Sequence, residues 1–354
     1  MPPSPAVARA VDDLAQDLRR GRYDAVQARA LAKRVAETLI ATVATASSEA
    51  SLDDIVRATR EVGGALAVVK REHFLVGNVA RRILRVIRDE GARAAADRAN
   101  ANAAGDGTTR TPEAMSKKLK GDVIDTAHEV TEEMEAAASH VAAQSGDFVT
   151  SGAVVMTTPS AGAGTGLTEA FLRDAMKKRG GEGFGVIVAE GAPRCDGHAM
   201  ARSLAERGAK DVSVICDSAV YATMPNVKLC VLSAVGVLAD GTALTRSGAY
   251  NIALAAKAHS VPVIVLAGSY VISPKSRDED GFDRAVGLGS PATALGYGEK
   301  GADPDAVVIN PALEYVPPEL ISVFVTDHGA HCPGFIKVLL DEMYSPLDVK
   351  LLDG

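Results

Sequence analysis

The spacing of apolar residues changes once along this chain, near residue 150, and that change restricts the possible folds more than any other feature. Before it, every strong period is helical. Val7, Val11, Leu14 and Leu18 share one face, Val26, Leu31, Val35 and Leu39 follow less strictly, and Leu52, Ile55, Thr59, Val62, Leu66 and Val69 repeat the pattern. Val123, Ala127, Val130, Met134, Ala137 and Val141 alternate steps of four and three, the seam of a helix lying lengthwise on another. After it come short continuous apolar runs at 153–158, 184–190, 212–216, 228–234, 261–268 and 321–327. Val and Ile runs without alternation mark strands covered on both faces of a parallel sheet. Helical stretches between them point to a doubly wound α/β arrangement. The expectation is therefore a helical N-terminal domain over 1–148 and a doubly wound parallel-sheet domain over 149–354. Residues 91–120, rich in Ala, Asn, Gly and Thr without apolar anchors, read as a flexible insertion.

Composition removes several classes of function. A net charge of −7 and a pI near 5.6 argue against a general nucleic-acid binder. With no Trp and only seven Phe and seven Tyr, base-stacking platforms are scarce. The most apolar stretch, Val261 to Ile272, is broken by Pro262, Gly268 and Ser269 and falls short of the ~20 residues a membrane span needs. The start, MPPSPAVARAVDDLAQ, has no apolar signal region, and Cys195, Cys216, Cys230 and Cys332 form no C-x-x-C pair. These features lead us to expect a cytoplasmic protein with reduced thiols.

Several segments carry residue types that do chemistry elsewhere. GAGTG at 162–166 follows a strand and opens a helix, and Glu190 ends the next strand, but the third glycine comes too early for a dinucleotide fingerprint. No cofactor is expected. His328, His331 and Cys332 have a superficially metal-like spacing, yet no other cluster supplies a fourth ligand, so no metal is expected there. In EGAPRCDGHAM (190–200), Asp196 and Gly197 form a turn that caps the following helix at the sheet edge where ligands bind, with Cys195 and His198 as a weak nucleophile–base pair. In ADGTALTRSGAY (239–250), Ser247 reads as an N-cap, Gly248 permits close backbone approach, and Arg246 adds a cation beside the helix N-terminus. In VGNVARRILRVIRDE (76–90), Val76, Val79, Ile83 and Ile87 form a buried stripe, and Arg81, Arg85 and Arg88 share the opposite face. Such a face is either solvated or suited to an acidic or phosphorylated partner. No P-loop, G-x-S-x-G elbow or zinc-protease helix is present, so no catalytic set emerges.

Taken together, VGNVARRILRVIRDE, VIVAEGAPRCDGHAMARSL, DGTALTRSGAYNIALAAKAHSVPVIVLAGSYVISP and EYVPPELISVFVTD resemble the regulatory subunits of eukaryotic translation initiation factor 2B. The Val-Gly-Asn-x-x-Arg-Arg start and the Glu-Tyr-Val-Pro-Pro-Glu-Leu-Ile run are beta-like within that family. The resemblance implies a helical domain followed by a Rossmann-like one, sharing ancestry with isomerases that convert methylthioribose 1-phosphate or ribose 1,5-bisphosphate to ketoses. Those enzymes use a cysteine and an aspartate as acid and base. Here the cysteine position falls at about Thr158-Pro159, the aspartate position near Val235, and Ala192 stands where the isomerases carry an arginine. Cys195 and Asp240 lie elsewhere, so the resemblance implies a protein that is not an enzyme. Asp196, Gly197, Arg246 and Gly248 would keep a residual phosphate pocket. The implied role is binding. Alpha, beta and delta subunits form a regulatory core, gamma and epsilon carry guanine-nucleotide exchange, and the core senses phosphorylation of the alpha subunit of initiation factor 2. Asn78, Arg81, Arg85 and Arg88 are the candidate contribution to that face or its supporting shell. An aldose 1-phosphate isomerase with relocated acid and base is the alternative. The GAGTG turn is longer than the family's.

Overall fold

The computed structural model describes residues 4–20, 22, 28–47, 49–69, 74–103, 112–159, 166–179, 183–209, 211–276, 287–296, 298 and 307–351. It divides into two compact units, Met1–Glu135 with Val338–Gly354, and Ala136–Lys337. The sheet domain was expected to run on to 354; instead its last segment, from Val338, belongs to the helical unit.

The helical unit contains α1 (Pro5–Arg19), α2 (Ala28–Ala44), α3 (Leu52–Val69), α4 (Phe74–Ala103) and most of α5 (Pro112–Ala143). Local chemistry sets their starts. Ser4 accepts from the Val7 amide at 3.3 Å with Pro5 in the first turn of α1. Ser51 and Asp54 exchange backbone-to-side-chain bonds at 3.2 Å each, a capping box for α3. The Ser51 hydroxyl, donating to Asp54 Oδ2 at 2.6 Å, and the Ser51 amide hold the Asp54 carboxyl below its ordinary value. Val76, Val79, Ile83 and Ile87 are fully buried along α4, as their spacing requires. Helices α3 and α4 approach so closely that a Cβ on Gly63 would lie 2.6 Å from the Ala80 Cβ.

The stretch expected to be a flexible insertion is largely helical: α4 runs to Ala103 and α5 begins at Pro112. Residues 104–111 lie outside the described residues. Alanine is the best helix former, so the missing apolar anchors signal exposure of the helix surface, not loss of helix. Glu90 accepts from Arg93 at 2.7 Å and Thr126 at 3.1 Å, and Lys120 donates to the Ala46 and Ser47 carbonyls at 2.7 Å each.

The α/β unit carries β1 (Val154–Thr157), α7 (Leu167–Arg179), β2 (Gly185–Ala189), α8 (Asp196–Glu206), β3 (Asp211–Ile215), β4 (Leu229–Val237), β5 (Ala243–Arg246), α10 (Ala249–Ala258), β6 (Val263–Leu266), β7 (Leu313–Val316), β8 (Val323–Thr326) and β9 (Gly329–His331). Short helices α6 (Ser145–Phe148), α9 (Val220–Thr223) and α11 (Pro291–Ala294) complete the order, and α12 (Ile336–Met343) starts at its end and belongs mostly to the helical unit. The sheet reads β3-β2-β1-β4-β6-β8-β9, parallel throughout except for β9 against β8. Its parallel strands follow the doubly wound order, with the direction of winding reversing between β1 and β4. The second half of β4 leaves this sheet through a bulge at Ala234/Gly236 and pairs with β5, which pairs with β7, both antiparallel. Phe171, Leu172, Val155, Val231, Leu204 and Val325 form the centre of the core. The six strands read from apolar runs are all present. Edge strand β3 departs from the expected two-sided burial, with Asp211, Ser213 and Val214 exposed.

Candidate functional site

Two constellations contain the residues singled out above, one in each unit. In the α/β unit, β2 ends at Ala189 and hands over to Glu190, whose amide donates to the Ile215 carbonyl at 2.8 Å. The loop that follows is pinned: Asp217 accepts from the Gly191 amide at 3.0 Å and the Ala192 amide at 2.7 Å. Cys195 takes a left-handed backbone, φ 53°, and α8 starts at Asp196, so this acid sits in the first helical turn and is not the cap expected of it. Gly197 packs so tightly that a Cβ would fall 2.3 Å from the Ala189 carbonyl oxygen. The glycine is required by the approach of helix to strand, as in the third glycine of a dinucleotide turn.

Arg246 and Gly248 do lie at this edge, but neither is free to receive an anion. Arg246 Nη1 is 3.0 Å from Asp196 Oδ2, and Arg194 Nε is 3.2 Å from the same oxygen. Gly248, φ 103°, is the N-cap of α10 in place of Ser247. The group that satisfies that helix end is Glu314 on β7. Its Oε1 accepts from the Tyr250 amide at 2.6 Å, and its carboxylate also takes bonds from the Gly248 and Ala249 amides. Burial pushes the Glu314 carboxyl upward, and the three amides oppose that rise. A carboxylate of the chain thus stands where a phosphate would bind.

The Cys195 thiol donates to the Pro193 carbonyl at 3.9 Å and not to His198. Instead His198 Nε2 lies 3.7 Å from Glu190 Oε2, and ligand atoms of Glu190, Cys195 and His198 all fall within 4.8 Å of one another. Chain spacing did not reveal this grouping, because Glu190 belongs to the strand end and the other two to the helix start. Of GAGTG only Gly166 is described; 160–165 lie outside the described residues. The expected HGAHC loop is partly a strand: His331 ends β9 and stacks on Phe335 at 4.8 Å, and His328 Nε2 is 3.8 Å from Asp327 Oδ2. Asp240 accepts from the Thr242 amide and hydroxyl at 2.8 Å each, a local turn between β4 and β5.

In the helical unit the arginines of α4 do not form an open face. Asn78 and Arg81 are buried, and Arg81 donates through Nε at 3.0 Å and Nη2 at 2.9 Å to the Val349 carbonyl. Arg85 pairs with Asp89 at 2.8 Å and reaches the Tyr344 carbonyl at 3.5 Å. Arg88 forms a two-point contact with Asp348, Nε–Oδ2 2.7 Å and Nη2–Oδ1 3.1 Å, and Arg60 of α3 pairs with the same acid. Asp348 is fully buried; burial alone would raise its carboxyl, and the two guanidiniums outweigh that and hold it below the ordinary value. The reading of a solvated basic stripe failed because Ser345–Val349 lies at the far end of the sequence, where no local pattern ties it to α4. Asp348, Arg60 and Glu314 are the functional-looking groups that sequence reasoning missed.

The fold and its edge define a doubly wound α/β scaffold with a helical unit, its phosphate-side donors engaged by carboxylates of the same chain. A model of the "Initiation factor 2 subunit family" matches residues 22–333, and the chain belongs to that family. It is 28% identical over 404 residues to "Translation initiation factor eIF2B subunit beta" of Schizosaccharomyces pombe, covering 98% of each chain. With the protein of the same name from Dictyostelium discoideum it shares 35% identity over 233 residues, 66% of this chain and 57% of that relative's length. A "Ribose 1,5-bisphosphate isomerase" of Haloterrigena turkmenica is 28% identical over 233 residues, 64% of this chain and 69% of the relative. Among solved structures, eIF2B beta of Chaetomium thermophilum superposes with a TM-score of 0.76 at 22% identity, covering 97% of this chain and 94% of that one. A tetrameric eIF2B-beta2-delta2 complex from the same organism gives 0.72 at 22%, covering 96% and 95%. At these identities the structural likeness speaks for the fold. Among the described residues, no helix is long and apolar enough to cross a membrane.

Proposed function

We propose that this chain is a beta-type regulatory subunit of the guanine-nucleotide exchange assembly for initiation factor 2, acting by protein–protein contact and not by turnover. The observation that carries the reading is the alignment along 98% of both chains with a relative named as the beta subunit. The delta subunit is the first partner, since a solved relative is titled as a beta2-delta2 tetramer. Alpha, gamma and epsilon subunits and the alpha subunit of initiation factor 2 complete the set, in the cytoplasm, with phosphorylation of initiation factor 2 as the signal sensed. The chemistry left at the inherited positions supports a binding role. Thr158 and Val235 carry no group that exchanges a proton near neutral pH, and Asp240 is used up in its turn. The Asn78 and Arg81 positions of α4 serve as the supporting shell of a partner face, because their side chains are buried. Arg85 and Arg88 keep 32% and 24% side-chain exposure and, although each is engaged within the chain, are the candidates of this stripe for a partner contact.

Affinity purification of the tagged chain from its native cytosol, with partners counted by mass spectrometry, tests this. Recovery of four other exchange-factor subunits with initiation factor 2 is the expected result; the chain alone or as a self-dimer would overturn it. The second reading, an aldose 1-phosphate isomerase, rests on the isomerase relative and on Arg246 at the sheet edge. Turnover that disappears in Cys195→Ala would favour it, and its absence at high enzyme concentration would remove it.

A further inference from the structure

Glu190, Cys195 and His198 meet at the carboxyl edge of the sheet without serving the binding role described above. The Glu190–His198 separation of 3.7 Å is close to the roughly 3.3–3.5 Å between two ligand atoms of a tetrahedral ion with bonds of about 2.0–2.1 Å. The Cys195 sulfur lies within 4.8 Å of both. His198 is 60% exposed and free to close the remaining gap by rotation, whereas Glu190 is held on a strand end. A second thiol stands beside them. Parallel register pairs Ala189 with Ile215, so the next residues, Glu190 and Cys216, emerge side by side from neighbouring strands. Two thiols, an imidazole and a carboxylate are the donor set of a borderline-soft d10 cation, and Mg2+ or Ca2+ would require oxygen ligands instead.

We propose that Glu190, Cys195 and His198, with Cys216 as fourth donor, form a binding site for a thiophilic divalent cation of the zinc type. The site joins the ends of β2 and β3 to the start of α8, the loop that Asp217 already pins. Ligation fixes Cys195 in its left-handed conformation and orders the exposed imidazole.

The test uses the full-length chain, purified under a phosphine reductant, stripped with a chelator and titrated with Co2+ and then Zn2+. One Co2+ per chain should bind, with the strong visible bands of a tetrahedral site and a near-ultraviolet thiolate charge-transfer band, and Zn2+ should displace it. Cys195→Ser and His198→Ala should each weaken binding at least roughly tenfold, Cys216→Ser should halve the charge-transfer intensity, and Cys332→Ser should change nothing. Thermal melting of the metal-free variants checks that they remain folded; if they do not, the number of thiolates in the parent Co2+ spectrum still decides. No stoichiometric binding, a spectrum lacking the thiolate band, or binding that survives the Cys195→Ser/His198→Ala double variant would overturn the proposal. An unchanged Cys216→Ser spectrum would remove Cys216 as the fourth donor.

Discussion

At the scale of single residues, the decisive arrangement is a carboxylate placed where an anionic ligand would otherwise go. Glu314 meets the amides of Gly248, Ala249 and Tyr250, donors that a helix N-terminus offers to phosphate. Removing it should expose an anion site. Glu314→Ala is expected to lose about 1–2 kcal/mol, the scale of a lost N-cap, and to be stabilised by millimolar inorganic phosphate in a thermal melt, whereas the parent is not. Equal phosphate response in both proteins would show that Glu314 does not block the site. The pocket was half legible in the sequence. Arg246 and Gly248 were visible as a cation and a permissive backbone beside a helix start, but the acid that caps that helix lies 64 residues beyond Tyr250, whose amide it accepts from. Only the antiparallel pairing of β5 with β7 brings it there. The same holds for Glu190 and Cys216, which belong to different strands and meet through sheet register.

At the scale of elements, what was legible depended on how each element buries its surface. The central parallel strands are covered on both faces and announce themselves as continuous Val and Ile runs. β5, β7 and β9 are short and antiparallel, and Thr245, Arg246, Glu314 and His331 interrupt their apolar character, so no run marks them. The later part of α4 was missed for the opposite reason, since residues 92–100 are nearly all exposed and are held by alanine propensity. Helix–strand contact is least forgiving where α8 meets β2. Gly197→Ala places a methyl 2.3 Å from a backbone carbonyl, which no side-chain rotation relieves. A loss of about 2–3 kcal/mol is expected, as for overpacking elsewhere, read from urea unfolding of the parent and variant. A difference below about 0.5 kcal/mol, the scatter of neutral surface changes, would mean that the loop yields easily.

At the scale of the whole molecule, the helical unit is made from two separate stretches of chain, and Asp348 between Arg60 and Arg88 is the main polar tie of the second. Its carboxyl is held below the ordinary value in the folded state, so it adds stability above the unfolded value near 3.8 and loses it as pH falls through the lower, folded value. Amide hydrogen exchange of residues 338–351 should therefore accelerate selectively on acidification below about pH 4. Asp348→Asn should accelerate it already at neutral pH, costing about 3 kcal/mol, the lower end for a broken buried pair because both guanidiniums keep some solvent. Reversing Arg81, Arg85 and Arg88 should act in the same way, loosening the unit before any partner is offered. The discontinuity also has a consequence for biosynthesis. Every residue of the α/β unit leaves the ribosome before the segment that completes the helical unit does, so the domain begun first is the one finished last. Until Asp348 emerges, Arg60 and Arg88 await their counter-ion, and the nascent chain presents a folded sheet domain joined to an incomplete helical one.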